Sequence, residues 1–69
     1  MTKNDIKKAL YKQKPEASLI LVRGGEVHYE ACLEDGTVLY FSVPVEDMGD
    51  AGFYPVMEAK LLIRWLPDV

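Results

Sequence analysis

From Glu26 onward the chain alternates polar and apolar for eight residues without a break. Glu26, His28, Glu30 and Cys32 fall on one side and Val27, Tyr29, Ala31 and Leu33 on the other. A period of two is the signature of a strand buried on one face. Glu34-Asp35-Gly36 follows as a turn, and residues 37–43 form a second run rich in β-branched and aromatic side chains, bounded by Pro44. Directly opposed residues of a hairpin share a face. A two-residue loop would set Cys32 against Leu39 and Glu30 against Phe41, mixing the faces. A three-residue loop pairs Leu33 with Thr37, Ala31 with Leu39, Tyr29 with Phe41 and Val27 with Val43, and puts Gly36 where a left-handed residue is required. The sequence therefore predicts the three-residue loop, because a slip by one residue would turn a whole hydrophobic set to solvent.

Such a hairpin needs a cover for its apolar face. Residues 4–13 supply a helix, capped by Thr2 or Asn4, with Asp5 in its first turn and Pro15 stopping it. Ile6, Ala9, Leu10 and Gln13 lie on one arc, and lysines with Tyr11 fill the remainder. Residues 17–23 predict another strand, joined to the alternating run through Gly24-Gly25, a pair suited to a two-residue hairpin. That turn sets Val22 opposite Val27 and Ile20 opposite Tyr29. Residues 45–55 are irregular, with room for one helical turn at 46–50. The last element, residues 57–66, fits a strand template better than a helical one, and the strand is placed over 58–66. The expected fold is α+β: residues 1–69 as one domain, an N-terminal helix on one face of a four-stranded antiparallel sheet in the order α-β-β-β-β, with a short helical turn before the last strand.

Size limits how such a fold is held. A chain of 69 residues hides only about 60% of the surface its unfolded form exposes, and small domains often compensate with disulfides, a metal or self-association. Cys32 is the one cysteine, so neither an internal disulfide nor a cysteine-rich metal knuckle can form. Tight packing and oligomerisation remain. No targeting signal or membrane-length apolar run is present, and a free thiol fits a reducing compartment, so the cytoplasm is expected.

Charge is distributed unevenly. Residues 1–23 carry a net +4, residues 24–56 a net −7 with no base at all, and residues 57–69 balance. A protein that grips nucleic acid broadly is basic overall, which this chain is not. Lys3, Lys7, Lys8, Lys12 and Lys14 nevertheless form an arc on the helix that an anionic partner would relieve, since lysines four apart repel mildly. The plain reading of that arc is a solvated surface. The stripe opposite it is too narrow to serve both the sheet and a membrane.

No constellation points to catalysis or a cofactor. Glu26, His28 and Glu30 share a face, but neighbours on it lie about 6.6 Å apart along the strand, too far to converge on one ion without help. His28 and Cys32 are about 13 Å apart on the same strand, beyond the reach of a nucleophile and its base. Ser18 and Ser42 lack any elbow motif. Gly24-Gly25 and Gly49-Asp50-Ala51-Gly52 lack the Lys-Ser/Thr of a phosphate loop, and residues 46–50 lack calcium-loop spacing. No catalytic, cofactor-binding or metal-ligating residue is assigned, no cofactor is expected, and no segment carries a family signature.

What remains is the sheet face away from the helix. Parity leaves Leu19 and Leu21 there, with Val38, Tyr40, Leu62 and Leu66 from the other strands. Large apolar groups on an otherwise solvated face mark an interaction surface. The expectation is a non-enzymatic protein-interaction module, a homodimer or a binder of another protein through that face. The alternative is a nucleic-acid-associated accessory protein using the lysine arc and Tyr11.

Overall fold

Helix α1 spans Lys3–Gln13 and opens with a reciprocal cap. The Asp5 amide donates to Thr2 Oγ1 at 3.2 Å, and the Thr2 amide donates to Asp5 Oδ2 at 3.2 Å. The helix ends at Lys14, which adopts left-handed geometry (φ 51°) and donates its amide to the Leu10 carbonyl at 3.0 Å. Ile6 and Leu10 are buried on its inner side. The computed structural model describes residues 2–51 and 53–66.

Four antiparallel strands follow: β1 (Glu16–Arg23), β2 (Glu26–Cys32), β3 (Val38–Pro44) and β4 (Val56–Glu58), in the spatial order β3-β2-β1-β4. The β2–β3 hairpin has the register its alternation predicts, with Tyr29 opposite Phe41 and Ala31 opposite Leu39. Gly36 takes φ 90°, and the Thr37 amide donates to Asp35 Oδ1 at 2.9 Å, closing the turn. The same turn is tied to the helix, since the Glu34 amide donates to Gln13 Oε1 at 2.9 Å.

The β1–β2 hairpin departs from expectation. Val22 faces Val27, although it stays exposed at the hairpin end, but Leu19 rather than Ile20 stands opposite Tyr29, and Leu21 faces His28. Ile20 is the extra residue of a β-bulge. Burial explains it. Without the bulge, Ser18 would face Ala31 in the core and Ala17 would point outward. With it, Ala17 is fully buried opposite Ala31, Leu19 packs against the core, and Ser18 goes to solvent opposite Glu30. Leu19 is thus removed from the outer face and Ile20 is left exposed.

The C-terminal segment also differs. The strand expected over 58–66 is only the three-residue β4, and Ala59–Trp65 is a 3-10 helix. A first 3-10 segment, Val45–Ala51, occupies the place of the expected helical turn, kinked at Gly49. The reason for the second is area. Four strands about 4.8 Å apart make a face nearly twice as wide as one helix, so α1 alone cannot cover it. Ala59, Leu62 and Leu66 are buried and Ile63 is partly so, a helical spacing that lays one stripe against α1 and β3. Leu62 and Leu66 are therefore core residues, not members of the outer face. The Ala59 amide donates to the Pro15 carbonyl at 3.1 Å, anchoring the turn from β4.

Between these helices, side by side on one face, and the sheet lie Leu10, Val27, Tyr29, Phe41, Val43 and Leu62, all essentially inaccessible. Among the described residues no buried side-chain polar atom lacks a partner. The Tyr29 hydroxyl, at the core's edge, donates to the Tyr54 carbonyl at 3.0 Å.

Candidate functional site

All helical cover sits on one side of the sheet, so the opposite side is a bare face built by strand parity. Its rows can be read across the ladder. Val56, Ser18, Glu30 and Tyr40 make one row, and Leu21, His28 and Ser42 the next. Arg23, Glu26 and Pro44 close the upper end. The apolar members, Ile20, Leu21, Val38, Tyr40 and Val56, are all exposed, Tyr40 most of all at 61%.

Tyr40 borders two depressions on this face. One, of about 250 Å³, runs between it, Ile20, Leu21, His28 and Arg23. The other, of about 290 Å³, is more polar, edged by Glu16, Ser18, Glu30, Cys32 and Val38. Each sets apolar side chains beside charged ones.

Of the six residues placed on this face from the sequence, Leu21, Val38 and Tyr40 are there. Leu19, Leu62 and Leu66 are on the other side, for the reasons given above. Ile20 and Val56 were not anticipated. The one signal for Ile20 was the order Ala17-Ser18-Leu19, which buries its apolar members only if a residue is skipped further along.

The polar residues of the face are spread along three strands. Ser42 Oγ donates to Glu26 Oε2, occupying that carboxylate. His28 faces Leu21 and Ser42, whereas Cys32 faces Val38 two rows on. Among the described residues, no three His, Cys, Asp or Glu side chains converge on a point where an ion could sit. Gly52, of the glycine segment at 49–52, lies outside the described residues.

The lysine arc is on the outward side of α1. Lys7, Lys8 and Lys12 are exposed and, with Asn4 and the exposed ring of Tyr11, border an open depression of about 530 Å³. Lys8 is near enough to Asp5 to help hold that carboxyl below its ordinary value, after the larger effect of the Thr2 hydrogen bonds. Lys14 is exposed as the helix cap, and Lys3 is half-buried. No helix of the described residues is long and apolar enough to cross a membrane.

No family model matches the chain, and neither a curated protein nor a solved structure matches it.

Proposed function

We propose that this chain is a small non-enzymatic protein-interaction module that self-associates through the outer face of its sheet. The observation that carries this reading is a sheet packed on one side only, with Ile20, Leu21, Val38, Tyr40 and Val56 exposed on the other. Hiding apolar area contributes about 25 cal/mol per Å² before the cost of association is subtracted. A two-fold arrangement is the commonest way for a surface to meet its own copy. The proposal sets the module in the cytoplasm, where reducing conditions keep the exposed Cys32 thiol free.

Light scattering at rising concentration tests it. The expected result is a dimer at micromolar concentration that Leu21→Glu weakens at least tenfold, with unchanged circular dichroism because Leu21 takes no part in the core. A monomer mass at hundreds of micromolar would overturn the reading.

A second reading rests on Tyr11. An exposed aromatic ring flanked by Lys7, Lys8 and Lys12 pairs a stacking surface with phosphate-binding charge, the combination that single-stranded nucleic acid takes. It requires binding to a single-stranded oligonucleotide that falls steeply with salt and is lost on Lys8→Glu. No binding at low salt would dismiss it.

A further inference from the structure

The hydrogen-bond parity of β3 specifies a contact that the face alone does not. The Leu33 amide donates to the Thr37 carbonyl at 2.8 Å at one end of the hairpin, and the Val45 amide to the Gly25 carbonyl at 2.8 Å at the other. In an antiparallel ladder bonded and non-bonded pairs alternate. Thus Leu39, Phe41 and Val43 bond to β2, while Val38, Tyr40 and Ser42 turn their N–H and C=O groups away from it. β3 is the end strand of the sheet, and among the described residues these groups have no other backbone partner.

An unpaired edge is a template for another strand, and proteins usually blunt it with charge, a bulge or shortness. The opposite edge is blunted in these ways: β4 covers Glu16 to Ser18, the Leu19 amide bonds to the Pro55 carbonyl, Ile20 is bulged and Arg23 is charged. β3 has seven residues, no bulge and no charged side chain. Proline comes only at its last position.

We propose that two copies of this chain join edge to edge along β3 about a two-fold axis at Tyr40, doubling the four-stranded sheet. This rests on the reading that the module self-associates, but it moves the contact from the outer face to the β3 edge, which Leu21 on β1 does not border. The strand itself identifies a second copy as the occupant. With the axis at Tyr40, Tyr40 meets Tyr40 of the second copy and Val38 meets its Ser42, so every outward group finds a partner and each pair exchanges both backbone bonds. Moving the axis to Val38 carries pairing out of the strand, and moving it to Ser42 brings in Pro44, which has no N–H. An uncharged strand meets itself without repulsion. The two Tyr40 rings fall side by side on the outer face at the axis, where aromatic cross-strand pairs are favourable. The outer faces of both chains then form one surface.

Ser42→Pro is the test variant, because it removes an outward N–H without disturbing the ladder to β2 or the apolar side chains of the face. The dimer dissociation constant should rise at least about tenfold. In the unaltered protein, hydrogen exchange at the Val38, Tyr40 and Ser42 amides should slow as concentration rises through the dimerisation range. Unchanged exchange at these amides while the dimer forms would overturn the proposal, whatever the fate of Ser42→Pro. A dimer lost on Leu21→Glu but kept in Ser42→Pro also refutes the edge contact and leaves the face reading standing. A dimer lost in Ser42→Pro and kept in Leu21→Glu supports the edge and refutes the face contact. A monomer at hundreds of micromolar refutes both.

Discussion

Leu19 stands directly opposite Tyr29, while the next ladder pair on β1 is Leu21 with His28, so Ile20 is passed over. A bulge of this kind holds one unpaired residue in an otherwise continuous ladder. Deleting Ile20 should therefore leave both pairs in place and let the ladder run unbroken. The expected loss is under about 1.5 kcal/mol, against about 3–5 kcal/mol for Phe41→Ala in the core. Chemical denaturation measures both, and cross-strand contacts between Leu19 and Tyr29 in the deletion variant check the register. Unfolding on deletion would show that Ile20 has a packing role.

Tyr29 is buried with its ring, and its hydroxyl holds the loop before β4 through the Tyr54 carbonyl. Tyr29→Phe should cost about 1 kcal/mol, the usual worth of one such bond. Burial raises the Tyr29 pKa above its ordinary value of 10.0. The neutral phenol is thus favoured in the folded state. Its contribution is full below the unfolded pKa and is lost as pH rises from there through the folded value. Stability should fall above about pH 10 in the native protein, and that fall should be smaller in Tyr29→Phe, as read by denaturation at stepped pH.

In the β2–β3 turn, a Cβ at Gly36 would meet open space, so the penalty of substitution there is conformational. With φ at 90°, Gly36→Val should cost at least about 1 kcal/mol. The neighbouring Asp35 carboxyl is held below its ordinary 3.8, chiefly by the Thr37 amide. Its contribution is present above the unfolded pKa and lost as pH falls through the folded one. Asp35→Ala should accordingly flatten the acid side of the stability profile below about pH 4.

Leu62, on the 3-10 helix that covers the sheet, is 1% exposed, whereas Leu21, on β1 within the sheet, is 43% exposed. Leu62→Ala should cost about 2–5 kcal/mol, and Leu62→Glu should unfold the chain. Leu21→Glu should keep the fold. Thermal melts of the two glutamate variants separate them directly.

Local chemistry determined much of this protein. The Thr2–Asp5 cap, the stripe of Ile6 and Leu10, and the left-handed need at Gly36 are all written within a few residues of where they act. The β2–β3 register was equally legible, because eight alternating residues leave a single pairing that keeps polar and apolar sides apart. Only the tertiary structure decided the other two features. Residues 57–66 fit two periods at once, with Ala59 and Ile63 on the apolar side of a strand and Ala59, Leu62 and Leu66 on that of a helix. The choice was made by a sheet too wide for α1 to cover alone. The bulge at Ile20 depended likewise on distant partners, since Ala17 and Leu19 reach the core only through Ala31 and Tyr29 on the next strand. Strand parity propagates from a turn until something breaks it, and here the break came from what the core would accept, a serine being the costlier residue to bury.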